Sequence, residues 1–502
     1  MRTGSTRVRA AVTVAVVVVA LLLGACNGAA KGNRTRPGPG SASQPVGSTD
    51  GPSTPGSSTP SGAGSGVLDP LGAKYDWSRF DLVSPYLKNL SGSATFYELV
   101  WCDVEPTQGN QSWKTMDAVA RKAQEVGARL MIKIRVGSCW ATTRSDPQHV
   151  RGTKNKSESF MPKDLDAYKA FVTSVVKRYS PQGVHTYAVE NEINSESFWG
   201  GTTAELATLV KAAADSIRAA DPSAKVADPG ISSTAYGAGI ARRLLDEGRG
   251  DDAVTAWNTY YARRIGTRGD QIAAVHDVAG LRAALASPQA ARNLQYLALA
   301  ESLQKDKVVD VRQVHFYEGW DAAPALVDYL RATTPAGMPI EAWEVGQFLK
   351  DSTVSDEVRA QELVKTVSIL LAGGIRRVLW LPLVMNPKGR NSDEPRYGLL
   401  NPDGSARLTG TAYETMARAS AGATASPISG KGLTGVALEK NGRTTAFVWS
   451  TGGDVSISLQ QGESVKHVAG QGAAAPTGSA VIGSAPTQID SNRPASELVG
   501  AL

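Results

Sequence analysis

The chain has 502 residues, 42% of them hydrophobic and 20% charged, enough apolar material for one large barrel plus a small accessory domain. Its formal charge of +6 falls to +3 without Arg2, Arg7 and Arg9, and no dense Lys/Arg run follows, so nucleic acid is excluded as an expected partner. Three cysteines and five histidines in no metal-ligand spacing give no sign of a metal centre, and no cofactor is expected.

The start places three arginines ahead of the apolar stretch Ala10–Leu23, which is too short to span a bilayer comfortably and reads as an export signal. Its end, Leu23-Gly24-Ala25-Cys26, resembles the lipobox of bacterial lipoproteins. That resemblance implies removal of residues 1–25 and lipid attachment at Cys26; the alternative is ordinary secretory cleavage with Cys26 incidental. Residues 26–66 are dominated by Gly, Ser, Thr and Pro, which cannot bury enough apolar surface to offset chain entropy. They read as a flexible tether, holding a body off the outer face of the bacterial cell membrane beside an envelope polymer. With Cys26 lipidated, Cys102 and Cys139 remain as a pair in an oxidising compartment; a disulfide and two buried free thiols both stand.

From 67 to 424 strand-like apolar runs alternate with helical patterns, so the expected fold class is α/β, a (β/α)8 TIM barrel. The strand signals are Ala94–Trp101, Arg129–Val136, Val184–Glu190, Lys225–Asp228, Val308–Tyr317, Ile340–Val345 and Arg377–Leu383, with a weak opening strand expected near Phe80–Val83 or just before it. Thr202 with Glu205 forms a candidate capping box ahead of a helix that Asp221-Pro222 stops, and another helix is expected from Ser355 to Gly373-Gly374. The connection Gly230–Lys307 exceeds one crossover helix and is expected to carry inserted helices. From 425 to 502 short alternating segments, with Asn441-Gly442 as a tight turn, read as a small β-sandwich whose expected role is structural support, with carbohydrate binding the alternative.

Two segments carry chemistry. Tyr187-Ala-Val-Glu-Asn-Glu-Ile-Asn194 and Pro339-Ile-Glu-Ala-Trp-Glu-Val-Gly346 each end a strand-like run on a glutamate, where a barrel concentrates its reactive groups. Cleaving a glycosidic bond needs such a pair, one carboxyl to protonate the departing oxygen and one to attack the anomeric carbon. The plainer alternative for either glutamate alone is a surface salt bridge.

The first segment resembles the Asn-Glu motif of the large clan of retaining (β/α)8 glycosidases. Trp101-Cys-Asp-Val-Glu-Pro106 with Gly109, Trp113 and Asp117, then Asp310–Tyr317, Pro339–Gly346, the strand of Trp380 and Tyr397–Gly404 are similar, in order, to regions of glycoside hydrolase family 39, the group of β-xylosidases and α-L-iduronidases. The resemblance implies that Glu192 is the acid/base and Glu344 the nucleophile, that Asn191 binds the hydroxyl beside the anomeric carbon, that Tyr317 holds Glu344 with His315 on the same side, and that Trp380 floors a sugar. For His315, Tyr317 and Trp380 the alternative is satisfied core residues. Relatives carry Trp-Asn-Glu-Pro where this chain has Glu190-Asn-Glu-Ile193, so Glu190 either points inward near Glu192 or pairs outward with a helix. Lys133 and Arg135 fall near the same strand ends, where either could meet an acidic sugar, although a salt bridge in the barrel wall is the commoner use. The expected function is a lipid-anchored retaining glycoside hydrolase acting on a polysaccharide or oligosaccharide, against a non-catalytic carbohydrate-binding lipoprotein or a transglycosylase using the same pair; oligomeric state is left open.

Overall fold

The computed structural model describes residues 67–90, 92–149, 158–265, 272–347, 353–386, 397–468 and 478–502; the leader, the tether and Cys26 lie outside the described residues. Among these residues eight parallel strands alternate with helices: β1 (Gly72–Ala73), β2 (Ala94–Val100), β3 (Arg129–Arg135), β4 (Thr186–Val189), β5 (Lys225–Ala227), β6 (Arg312–Phe316), β7 (Ile340–Val345) and β8 (Arg377–Trp380). They hydrogen-bond in two arcs, β2-β3-β4-β5 and β6-β7-β8-β1. At one seam a parallel bridge joins Ala227 to Val311, just before β6. At the other, Gly72 lies so close to β2 that a Cβ would sit 2.0 Å from the Ala94 carbonyl oxygen, an approach only glycine allows. The arrangement is consistent with the expected barrel.

The opening strand is not at Phe80–Val83. Those residues start the helix Phe80–Asn89, whose buried Phe80, Val83, Tyr86 and Leu87 recur every three or four positions. The strand lies just before it and has only two residues, too few to leave a period in the sequence. The capping box at Thr202 and Glu205 is present and opens the helix Thr203–Ala220, while Ser355 caps Asp356–Ala372. Gly230–Lys307 carries inserted helices at Ser233–Asp246, Gly250–Tyr260, Val278–Leu285 and Pro288–Lys305.

Strand alternation sorts the barrel into layers. Ala94, Phe96, Met131, Ala188, Ala227, Val311, Trp343 and Leu379 form a buried cluster of their own, separate from the larger core that includes the helices. Two large rings, Phe96 and Trp343, stacked with centroids 6.1 Å apart, fill space left by the alanines of β4 and β5. Continuing two residues along β2, β3 and β6 replaces Phe96, Met131 and Val311 by Glu98, Lys133 and Gln313, so the polar inward positions collect toward the carboxyl ends of the strands.

Asp69, just before β1, takes Arg376 and Arg377 at 3.1 Å and Arg129 at 3.2 Å. Burial pushes its carboxyl up, but Arg377, Arg376 and Arg129 together hold it below the usual carboxylate range. A depressed carboxylate contributes stability above its unfolded pKa and loses it as pH falls through the folded value. Asp69→Asn, which takes one of two carboxylates from the buried Arg377 and leaves it Glu341 at 2.8 Å, is expected to cost about 2 kcal/mol near neutral pH. Melting temperatures of both proteins against pH check this: the two curves should converge in acid, and parallel curves would refute it.

The C-terminal strands are β9 (Thr424–Gly430), β10 (Leu433–Lys440), β11 (Arg443–Ser450), β12 (Val455–Ser458), β13 (Ser464–His467), β14 (Ser479–Ile482) and β15 (Thr487–Ser491). They form an antiparallel sheet ordered β13-β15-β11-β10-β9 and a ribbon β12-β14. Asn441 and Gly442, with φ of +54° and +71°, make the two-residue turn between β10 and β11. Period-two alternation splits this sheet between two cores. Val436, Leu438, Phe447 and Trp449 join the barrel's core, while Ala437, Ala446, Val448 and Ile489 pack with Ile482 of the ribbon and Leu498 of the terminal helix. Phe447 and Trp449 are the only aromatic side chains after residue 424 and both are 0% exposed, so this part offers no aromatic platform for a sugar. Its sheet instead packs β9 and β10 against the outer helix Asp356–Ala372, with Trp320 edge-on to Trp449 at 6.1 Å.

Candidate active site

Beyond β4 the chain passes through Glu190 and Glu192 with φ of +66° and +43°. A non-glycine residue held there costs about 1–3 kcal/mol and persists where surrounding contacts over-determine it. The Glu190 carboxylate accepts the Val136 N–H at 2.7 Å and pairs with Arg135 at 3.4 Å, while the Glu190 N–H donates to the Ile134 carbonyl at 2.9 Å. Glu190 therefore points inward, and β3 takes up its charge; burial pushes its pKa up against the opposing pull of Arg135 and the Val136 N–H. This anchoring aims Asn191 and Glu192 at the barrel axis.

A bulge aims the second glutamate. Between the pairs Val314↔Ala342 and His315↔Glu344, β7 holds one more residue than β6. The extra residue is Trp343, which belongs to the inner cluster, and the shift lets Glu344 face the same interior as its neighbour. Bulges re-aim side chains in this way at strand ends beside active sites.

The side chains of Glu192, His315 and Glu344 then meet, one polar atom of each lying within 4.8 Å of the others. His315 Nδ1 is 3.2 Å from Glu192 Oε1. The Tyr317 hydroxyl donates to Glu344 Oε2 at 2.8 Å. Lys133 Nζ donates to Glu344 Oε1 at 3.0 Å and to Asn191 Oδ1, and lies 3.2 Å from His315 Nε2. The side chain of Glu344 is 6% exposed and that of Glu192 is 15%, so one carboxylate sits deep and the other nearer the opening. Burial opposes ionisation of Glu344, but His315, Lys133 and Lys74 beside it outweigh burial and hold the carboxyl well below its ordinary value.

Three strands, β4, β6 and β7, thus bring Glu192, Glu344, Asn191, His315 and Tyr317 to one place. No family model and no curated protein matches the chain. Solved structures do. A family 39 glycoside hydrolase from the gut symbiont Bacteroides cellulosilyticus WH2 superposes with a TM-score of 0.54 at 14% identity, over 84% of this chain and 81% of that one. A GH39 β-xylosidase from Caulobacter crescentus superposes with a TM-score of 0.54 at 13% identity, over 86% of this chain and 98% of that one. The fold is that of family 39 glycoside hydrolases.

Within this family 39 fold, Trp380 departs from its expected place. It is 1% exposed, packs 5.9 Å from Tyr413 of the helix Leu408–Ser420, and belongs to the helix-side core. Alternation along β8 explains this, since Leu379 takes the inward position and Trp380 the outward one. Trp380 is a core residue, and the aromatic layer beneath the carboxylates is Phe96 and Trp343, with Lys133 Nζ 4.3 Å from the Phe96 centroid. Cys102 and Cys139 are joined as a disulfide that ties the segments following β2 and β3. Arg135 serves in the barrel wall, between Glu98 and Glu190.

Lys133 is the functional side chain that sequence reading assigned elsewhere. The available signal was the inward series Met131, Lys133, Arg135 on β3, which puts a cation at the level of the strand-end carboxylates. Its position also bears on metal binding. Glu192, His315 and Glu344 offer three ligand atoms, yet the Lys133 ammonium already faces Glu344 Oε1 and His315 Nε2, the lone pairs an ion would need. The donor set fits a carboxylate pair organised by a lysine better than a metal centre.

The insertion braces the same strand ends. Ser233 Oγ accepts the Tyr317 N–H at 3.1 Å and donates to Glu318 at 2.8 Å, and Glu318 pairs with Arg264 at 2.7 Å. Asn194, two residues past Glu192, donates to Ser232 at 2.8 Å and to Asn293 at 2.7 Å.

Proposed function

We propose that this protein is an exported, lipid-anchored retaining glycoside hydrolase that cleaves glycosidic bonds of a cell-envelope or environmental glycan. The observation that carries the proposal is the closeness of Glu192 and Glu344, one carboxylate oxygen of each lying within 4.8 Å of the other. A retaining pair needs carboxyl groups about 5 to 5.5 Å apart, whereas an inverting pair spans about 6.5–9.5 Å to admit a water. The (β/α)8 fold, shared with the two family 39 structures, supports the same reading.

Glu344, buried and held ionised, is the nucleophile. Its carboxylate oxygen bonds to the anomeric carbon as the bond to the leaving oxygen breaks, and Glu192 gives its proton to that oxygen. Water then enters; Glu192 takes its proton, the water oxygen bonds to the anomeric carbon, and Glu344 leaves as a carboxylate. Asn191 binds the neighbouring sugar hydroxyl, a contact that strengthens as oxocarbenium character develops. The test is sugar release from aryl glycosides and envelope polysaccharides, beginning with aryl β-xylosides because one relative is a β-xylosidase. Turnover with net retention at the anomeric carbon is expected; binding without turnover would favour a carbohydrate-binding lipoprotein.

Lipidation at Cys26 tethers this body to the outer face of the membrane. Cys26→Ala is expected to move the protein from the membrane fraction to the medium in cell fractionation, and an unchanged distribution would remove the anchor from the proposal.

A further inference from the structure

The Lys133 ammonium has three protons, and the structure gives it three polar neighbours: Glu344 Oε1 at 3.0 Å, Asn191 Oδ1, and His315 Nε2 at 3.2 Å. Its side chain is 0% exposed, so bulk solvent takes no share. A singly protonated His315 and the Asn191 amide each have two arrangements, and the lysine selects one. An ammonium can donate to His315 Nε2 only if that nitrogen carries no proton. The proton then sits on Nδ1, which faces Glu192 Oε1 at 3.2 Å and donates to it. Gln313 Oε1, 3.3 Å from His315 Nε2, favours the other tautomer, but it is a neutral amide. Glu344 Oε1, 3.7 Å from Nε2, also favours the other tautomer, but it already accepts from the Lys133 ammonium, which lies nearer to that nitrogen; Lys133 at Nε2 and the Glu192 oxygen facing Nδ1 both favour the proton on Nδ1. Likewise, an Asn191 amide whose oxygen accepts from Lys133 must turn its NH2 group away from the lysine.

We propose that Lys133 is a positioning residue that sets the tautomer of His315 and the amide orientation of Asn191. Resting on the glycosidase reading above, this makes one ammonium organise the nucleophile, the partner of the acid/base, and the group that meets the sugar hydroxyl. Glu344 is linked through Lys133 and His315 to Glu192, so a change of charge at the nucleophile alters the hydrogen bond offered to the acid/base.

The first measurement needs no turnover. The mature full chain, made soluble by Cys26→Ala and labelled with ¹⁵N-histidine, reports which ring nitrogen of His315 is protonated, with His315→Gln used only to assign the signal. A proton on Nδ1 with a bare Nε2 is expected. A proton on Nε2, the arrangement that pairs with Gln313, would overturn the proposal whatever the enzyme does, and since the wild-type chain is read directly, an unfolded variant cannot obscure the answer. Lys133→Met, which keeps length and burial but has no donor, should lose the single tautomer; an unchanged spectrum would also overturn it. On an aryl glycoside that the wild type cleaves, Lys133→Met should lower kcat by about 10²- to 10³-fold with a much smaller change in KM. In an Asn191→Ala background that loss should shrink, because part of the role of Lys133 runs through Asn191. Full additivity would reject the Asn191 half of the proposal, and absence of turnover by the wild type would reject the glycosidase reading while leaving the tautomer result standing.

Discussion

Glu344→Gln is expected to abolish turnover, with kcat falling by at least about 10⁴-fold, because an amide cannot form and release a glycosyl ester. The substitution keeps shape and burial, and the side-chain oxygen can still accept from Lys133 or Tyr317. What it removes is the negative charge facing the fully buried Lys133, so some loss of stability accompanies the kinetic effect. Circular dichroism and a melting curve separate the two: a folded protein with no turnover supports the nucleophile assignment. Retention of more than about a hundredth of wild-type kcat would sink it, since loss of a covalent nucleophile costs far more than that.

The same electrostatics set a pH expectation. Glu344 is held well below its ordinary value, so it stays ionised through the usual carboxylate range and does not limit turnover there. Removing the ammonium in Lys133→Met takes away a charge that favours the ionised form, so the Glu344 pKa rises toward the value burial imposes. Activity that depends on ionised Glu344 then falls off at higher pH than in the wild type, and the acid limb of kcat/KM reports the shift. An acid limb that stays in place would mean that Lys133 does not govern the charge of Glu344.

Much of this arrangement is legible in the chain, and the exceptions have physical reasons. β2 to β8 announce themselves as apolar runs because strands covered on both faces must be apolar along their length. β1 does not, since two residues closed by a glycine contact carry no period. Glu192 and Glu344 stand out by their motifs, but strict alternation places Glu344 on the outer face once Trp343 is inward; only the bulge reconciles them, and a bulge leaves no mark in the sequence. Trp380 was misplaced for the opposite reason, because plain alternation does hold on β8 and sends it outward. Lys133 and Arg135 occupy the same inward series on β3 and read alike in sequence. They differ in partners: Glu98 and Glu190 surround Arg135, whereas Lys133 reaches Glu344 from across the barrel, a non-local contact that local pattern cannot anticipate.

Glu192→Ala should separate the two half-reactions. With a dinitrophenyl glycoside the leaving group departs without a proton, so formation of the glycosyl ester on Glu344 barely changes. Its hydrolysis lacks the base that activates water and slows by about 10²- to 10⁴-fold. The ester accumulates, kcat and KM fall together, and a burst of dinitrophenolate equal to the enzyme concentration precedes a slow steady state. Azide needs no deprotonation, and with the Glu192 side chain removed it has space beside the ester. It should therefore restore turnover and release a glycosyl azide of the same anomeric configuration as the substrate, because attack comes from the face opposite Glu344. An azide of inverted configuration would mean that the carboxylate removed was itself the nucleophile, exchanging the roles of the two glutamates. A lack of any rescue, with ordinary single-phase kinetics, would place the acid/base outside the cluster that Glu192 forms with His315 and Glu344.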